Sequence, residues 1–416
     1  MKKILHINTY DVDGIGKAVI RIHNYLVQSG FYSKILVKEK QTQYKDVIEV
    51  SKNNITIYNI FYKVIKKINR FLFSKKNVQT NPKYHFFNFD EKENFISANT
   101  ILNDINFIPD IIIVYWISRF CNLKTIYKLQ KRTKAKILFY PLDMSIITGG
   151  CHYAWDCEGF QKSCLNCPAI SNEKINIAQR NLEEKLKWLN MIDCEIISST
   201  KHLENQIQKS ILFKNRKIHK NIFLVPDKNI FKPYNKLQAR KFLNIEADKK
   251  IIFIGAANFN DERKGLQYFQ KALEILKKRH YEKEILILLA GTKSDVSFPF
   301  QTHFLGKIQE DEKLAKAYQA SDIFVCSSVE DSGPMMVNES ISCGTPVIAF
   351  DMGVAKDLII GTKTGYIAKL FDSSDLAEKI DLILRLNEND IKNMQLNCYE
   401  LSNKLLLNEN IVRILS

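Results

Sequence analysis

Short apolar runs of strand length alternate with stretches that carry apolar residues at helical spacing, and they do so in two separate series. The first opens at Ile4 to Ile7, passes a turn-rich stretch from Asp11 to Gly16, and enters a segment with Ala18, Ile22, Tyr25 and Leu26 on one helical face that ends near Gly30. Another apolar run, Lys34 to Val37, completes strand, glycine turn, helix, strand: a βαβ unit. The alternation recurs at Ile111 to Trp116, Lys136 to Tyr140 and Cys194 to Ser198, then restarts at Ile251 to Ile254, Ile285 to Leu289, Ile323 to Cys326 and Val347 to Phe350. Alternation of this kind predicts an α/β fold with doubly wound parallel sheets. Two series predict two Rossmann-like domains, which suits a chain of 416 residues. The polar turn Val225-Pro226-Asp227-Lys228-Asn229 marks the boundary, giving domains at 1–226 and 227–390. Residues 391–416 are expected to form a helical segment that crosses back to the first domain.

Charge narrows the partners. The net charge of +16 points to anionic ligands: phosphates, nucleic acid or anionic lipid. Part of the excess lies between Ser51 and Asn88, which holds no Asp or Glu. There Lys63, Lys66, Lys67, Arg70, Lys75 and Lys76 accompany Ile57, Phe61, Ile65, Ile68 and Leu72 on one helical face. A basic amphipathic stretch from Ile57 to Lys76 can rest on an anionic bilayer, or pack as an ordinary helix with solvated lysines. No apolar run approaches the roughly 20 residues that span a bilayer, and the N-terminus lacks the apolar stretch of a signal peptide. The expectation is a cytoplasmic protein, peripheral at the inner face of the cell membrane.

Four of the nine cysteines cluster as Cys151-x5-Cys157-x6-Cys164-x2-Cys167. Four thiolates ending in Cys-x-x-Cys can close a structural zinc site, with His152 as the alternative ligand and Glu158 facing solvent. Free thiols in a reducing compartment are the other reading.

Three segments could meet a phosphate or a sugar. Asp13-Gly14-Ile15-Gly16-Lys17 lies between a strand and a helix, where N–H groups face an anion, although it is neither a Rossmann fingerprint nor a P-loop. Asn260-Asp261-Glu262-Arg263-Lys264-Gly265 sets two cations at a βα turn, where Arg can fork onto phosphate oxygens and Lys acts as a point charge. A solvated charged cap explains the same run. The sharpest is Glu330-Asp331-Ser332-Gly333-Pro334-Met335-Met336-Val337-Asn338-Glu339-Ser340. Pro334 suits the first residue of a helix, Gly333 permits close ligand approach, and Asp331 and Glu339 could bracket a nucleotide-sugar.

Asp331-x7-Glu339, followed by Ser340-Ile341-Ser342-Cys343-Gly344-Thr345-Pro346-Val347-Ile348-Ala349, resembles the donor-site signature of glycosyltransferase family 4, retaining enzymes of the GT-B fold. Arg263-Lys264-Gly265 resembles that family's basic turn, and Gly14 and Gly16 its N-terminal glycine loop. Asp143-Met144, Thr148-Gly149-Gly150-Cys151-His152-Tyr153 and Cys164-Leu165-Asn166-Cys167-Pro168 resemble a branch found in exopolysaccharide and colanic-acid-type clusters. The resemblance implies two Rossmann-like domains facing across a cleft, the first binding the acceptor. It implies a sugar moved from a UDP- or GDP-linked donor to a glycan or lipid-linked glycan, with no catalytic cofactor and no nucleic-acid partner. Glu339 would hold the ribose, Asp331 the transferred sugar, and Arg263 with Lys264 the leaving diphosphate. Gly333, Pro334, Met335 and Met336 would meet sugar and phosphate, while Asp143 joins the catalytic set. The chain departs from the family in carrying Asp331 where an acid of Glu length is usual, with Glu330 adjacent, and Leu142 where many relatives have His. A sugar-nucleotide epimerase shares this architecture, and a basic zinc protein that binds nucleic acid is the more distant alternative.

Overall fold

The computed structural model describes residues 1–51, 79–86, 90–92, 96–171, 176–221, 227–246, 248–279, 285–292, 297–333, 335–407 and 410–416. The basic stretch from Ile57 to Lys76 lies outside the described residues, as do Val225, Pro226 and Pro334. The chain divides into two compact units, one of Met1–Ile197 with Gln206–His219, the other of Ser198–Asn205 with Lys220–Ser416.

In the first unit β1 (Lys3–Tyr10), α1 (Asp13–Gln28), β2 (Tyr32–Glu39) and β3 (Val47–Glu49) open the fold. Then come α2 (Ala98–Ile105), β4 (Ile111–Val114), α3 (Leu123–Thr133), β5 (Lys136–Phe139), α4 (Ile177–Leu189), β6 (Cys194–Ser198), α5 (Lys201–Lys209), whose residues up to Asn205 group with the second unit, and β7 (Ile218–Lys220). The strands form one sheet in the order β3-β2-β1-β4-β5-β6-β7. β1 is central, with Leu5 opposite Lys34 of β2 and Ile112 of β4. Consecutive residues of the inner strands are buried, among them Ile4 and Leu5, Ile112 and Ile113, and Leu138 and Phe139. A parallel sheet covered on both faces requires this, and it explains why these strands read as unbroken apolar runs.

The second unit holds α6 (Lys236–Phe242), β8 (Lys250–Ala256), α7 (Leu266–Lys277), β9 (Ile285–Gly291), β10 (Gln301–Gly306), α8 (Asp311–Ala320) and β11 (Ile323–Cys326). It continues through α9 (Met335–Ser342), β12 (Val347–Phe350), α10 (Ala355–Leu358), β13 (Gly365–Ala368), α11 (Ser373–Leu384), α12 (Glu388–Leu407) and α13 (Asn410–Leu415). Its strands are parallel in the order β10-β9-β8-β11-β12-β13. Phe253, Tyr318 and Phe324 pack together at its centre, Tyr318 edge-on to both phenylalanines, with centroids 5.0 to 5.5 Å apart. Asp322 ties three elements together, accepting from Arg240 Nη2 at 3.0 Å, Lys236 Nζ at 2.9 Å and the Ile251 N–H at 2.7 Å.

Three expectations change. The first unit closes at His219, and Ser198–Asn205 joins the second. Residues 391–416 group with the second unit as well, where α12 packs on α9 and Ser402 Oγ meets Ser342 Oγ at 2.9 Å. Helix α1 begins at Asp13, so Gly14 and Gly16 lie in its first turns and not in a loop.

Candidate functional site

Strand order fixes where the second unit can bind a ligand. β8 is followed by β9 on one side and β11 on the other, so the connections leaving β8 and β11 depart in opposite directions and open a crevice at the carboxyl ends. Both charged motifs lie on those two connections. After β8, Asp261 caps the short turn Glu262–Lys264 by accepting the Arg263 N–H at 3.1 Å. Gly265 ends the turn at φ +62° against the β11 connection, where a Cβ would lie 2.0 Å from the Ser327 carbonyl oxygen. Only glycine fits that approach. Ser327 Oγ donates to the Lys264 carbonyl at 2.8 Å, and the Val329 N–H to the Arg263 carbonyl at 2.8 Å.

The two loops also share charge. Lys264 Nζ lies 2.7 Å from Asp331 Oδ2, and Arg263 Nη1 lies 3.9 Å from the same oxygen. Arg263 Nη2 is held by Asp261 Oδ2 at 2.6 Å, and Nη1 reaches the Glu330 carbonyl at 3.4 Å. The Gly333 N–H donates to Asp331 Oδ1 at 3.1 Å. Burial pushes the Asp331 carboxyl up, but Lys264, Arg263 and these hydrogen bonds outweigh it and hold it below the usual carboxylate range. The result is a buried anion with two cations beside it at the crevice.

Glu339 lies in the body of α9, 4% exposed, and its Oε2 accepts the Tyr318 hydroxyl at 2.9 Å. Met335 and Met336 open that helix, and a Cβ at Gly255 would lie 2.4 Å from Met336 Cε, so the methionine caps the end of β8. Glu330 is buried beside Asp331. The structure thus gathers Arg263, Lys264, Glu330, Asp331 and Gly333 in two adjoining loops, with Met335, Met336 and Glu339 on the helix that follows. Residues that sequence spacing did not offer join them. Tyr318 comes from α8, and Thr200 Oγ1 donates to the Ser332 carbonyl at 2.9 Å. Neither carries a local signal, because each meets the site through tertiary packing. Asp261 was visible within the charged run.

The remaining candidates belong to the first unit. Gly16 packs the start of α1 against the end of β1, where a Cβ would lie 2.5 Å from the Asp11 carbonyl carbon, while Gly14 has open space. Asp143 is buried and pairs with His152 Nδ1 at 2.9 Å, and it accepts the Ser145 N–H at 2.7 Å. Burial raises its carboxyl, but His152 and Ser145 more than offset this and hold it low. Leu142 precedes Asp143 in sequence, and the histidine that meets Asp143 in space is His152, nine residues on.

The four clustered cysteines lie within electrostatic reach of one another. Cys157 Sγ accepts the Gly159 N–H at 3.4 Å, and burial, with smaller mutual repulsion among the cysteines, pushes Cys164 up to about 12. All four are free thiols. Among the described residues no group of three or more His, Cys, Asp or Glu side chains is placed to hold a metal ion. No helix among the described residues is long and apolar enough to cross a membrane.

Residues 235–400 match the family model described as glycosyl transferases group 1. The chain is 28% identical over 151 residues to the N,N'-diacetylbacillosaminyl-diphospho-undecaprenol alpha-1,3-N-acetylgalactosaminyltransferase of Campylobacter jejuni, covering 35% of this chain and 38% of the relative. It is 23% identical over 261 residues to WcaC of Escherichia coli, a protein named for colanic acid biosynthesis, covering 59% of each chain. The chain spans about two fifths of the length of the first curated relatives it matches. Anabaena HepE in complex with UDP-glucose superimposes with a TM-score of 0.64 at 13% identity, covering 98% of this chain and 97% of that one. The chain therefore has the two-Rossmann-domain architecture of GT-B proteins, and its second unit resembles the group 1 glycosyl transferases over residues 235–400.

Proposed function

We propose that this protein is a retaining glycosyltransferase that moves a sugar from a UDP- or GDP-linked donor to a growing bacterial surface glycan, lipid-linked in the fuller form of the proposal. The observation that carries the reading is the meeting of Arg263, Lys264 and Asp331 at the switch point of the second sheet, inside the stretch that matches the group 1 model. Departure of a nucleoside diphosphate builds negative charge on its terminal phosphate. Two cations in a partly dry crevice stabilise that charge more in the transition state than in the bound donor. In this reading Arg263, anchored by Asp261, supplies a preset fork, and Lys264 is the mobile point charge. Asp331 faces the transferred sugar, and Glu339, one oxygen held by Tyr318, accepts from the ribose diol with the other. Asp143 and His152 serve the first unit's acceptor side. The relatives from Campylobacter and Escherichia support a bacterial glycan as the acceptor, and the basic stretch from Ile57 to Lys76 supports docking on an anionic membrane.

Calorimetry with UDP, GDP and their sugar conjugates tests the reading. Glu339→Gln removes one charge-assisted hydrogen bond, which predicts nucleotide binding weaker by roughly ten- to a hundredfold. Unchanged nucleotide affinity in this variant would move the donor site elsewhere. Release of free sugar-nucleotide isomers without an acceptor would indicate an epimerase instead.

A further inference from the structure

The segment Ser198–Asn205 belongs to the second unit and packs on the loop after β11. Thr200 Oγ1 donates to the Ser332 carbonyl at 2.9 Å and accepts the Leu203 N–H at 2.9 Å. A Cβ at Gly333 would lie 2.8 Å from Thr200 Cγ2. The Lys201 N–H donates to Asp357 Oδ2 at 3.0 Å. These contacts fix the next residue, His202, beside the Asp331 loop. Its ring lies within electrostatic reach of Asp331, Lys356 and Asp351, and its buried Nε2 has no hydrogen-bond partner among the described residues. A buried imidazole nitrogen without a partner is costly, and such groups call for a reason.

Asp331 supplies one. In the structure its counter-charges are Lys264 at 2.7 Å and Arg263 at 3.9 Å. A diphosphate held by those two cations competes for them, and leaves a buried carboxylate short of positive charge. We propose that His202 is a positioning residue that takes over from Lys264 as the counter-charge of Asp331 when a nucleoside diphosphate engages Lys264 and Arg263. The step makes one N–H bond on the imidazole and breaks one O–H bond of a solvent hydronium ion, whose electron pair stays on the water, and no bond of Asp331 or of the diphosphate changes. The proposal rests on the donor-site reading above.

The surrounding charges agree with this. Burial holds the His202 imidazole below the ordinary histidine range, Asp331 and Asp351 oppose that, and Lys356 adds to it. Lys356 is itself paired with Asp351 Oδ2 at 3.0 Å, and Lys201 and Glu204, on the helix of His202, are engaged with Asp357 and Lys220. In the empty site the ring is therefore neutral at pH 7. A bound diphosphate adds negative charge beside Asp331 and frees that carboxylate from Lys264, and both changes draw a proton to His202.

The probe is UDP, with GDP run in parallel, titrated calorimetrically at pH 7.5 in three buffers of different ionisation enthalpy. Wild-type protein should take up roughly a fifth to two fifths of a proton more per nucleotide than His202→Gln. The comparison cancels the ionisation of the nucleotide, which is common to both. A second measurement needs no variant: histidine Cε1–H signals followed with pH, with and without UDP. One of the eight histidines should titrate about one unit higher in the complex. Equal proton uptake by wild type and His202→Gln, or no histidine moving upward, overturns the proposal. If Lys264→Ala still weakens UDP binding in that case, the donor-site reading survives alone. Failure of wild-type protein to bind either nucleotide overturns both.

Discussion

Lys264→Ala separates the two roles that its ammonium plays. In the empty protein Nζ is the nearest cation to the buried carboxylate of Asp331, at 2.7 Å, and Arg263 stands off at 3.9 Å. Removing one member of a buried pair costs about 3–5 kcal/mol because it strands the other charge. The Lys264 side chain is 24% exposed, and Arg263 and the Gly333 N–H remain to Asp331. Those three facts bring the expected loss of stability down to about 1–3 kcal/mol. Donor binding should fall by a further and separate amount, roughly ten- to a hundredfold, for the lost charge-assisted contact to the diphosphate. The double variant Lys264→Ala with Asp331→Asn tells the two effects apart. An amide at 331 leaves no stranded charge, so stability should return to within about 1 kcal/mol of wild type, while nucleotide binding stays weak. Denaturant unfolding and calorimetry with UDP and GDP read the two quantities on the same samples. Recovery of nucleotide affinity in the double variant would refute the reasoning, since Lys264 would then act only through Asp331.

Three other perturbations follow from the structure. Gly265→Ala puts a Cβ 2.0 Å from the Ser327 carbonyl oxygen at φ +62°, so it should destabilise the protein by at least about 2 kcal/mol in denaturant unfolding and abolish nucleotide binding. His6 and His23 are both buried on Ser33 Oγ, at 3.0 and 2.8 Å, and burial, the largest cause, holds both below the ordinary histidine range. The unfolded chain then binds more protons than the native one below the unfolded value of about 6.5, so stability is complete above that pH and is lost as pH falls, by about 1.4 kcal/mol per unit for each histidine. Unfolding midpoints measured from pH 7.5 to 5 should show this slope, and His6→Gln should flatten it. A slope unchanged by the substitution would assign the effect to other groups. Cys164, raised to about 12 by burial, should resist iodoacetamide at pH 7.5 in the native state and react after unfolding; rapid native labelling would contradict that environment.

The sequence alone determined the α/β class, both parallel sheets and the inner strands, because a strand covered on both faces must be apolar at every position, as Ile111 to Val114 and Ile323 to Cys326 are. The edge strands were not legible. β3, β7, β10 and β13 border the sheets, and with only one neighbour they can be short, polar or partly exposed, as Gln301–Gly306 is. The charged motifs were legible for the same kind of reason. A glycine that closes a turn, as Gly265 does after Arg263 and Lys264, and a run of acids ahead of a helix leave local traces at fixed spacing. What needed tertiary structure was every pairing between motifs. Lys264 meets Asp331 across 67 residues, Tyr318 reaches Glu339 from another helix, and Thr200 grips Ser332 across 132. His152 meets Asp143 from nine residues further along the chain. Local spacing encodes turns and faces, while a site's charge balance depends on which loops the strand order brings side by side, and that order is decided by the packing of the whole sheet.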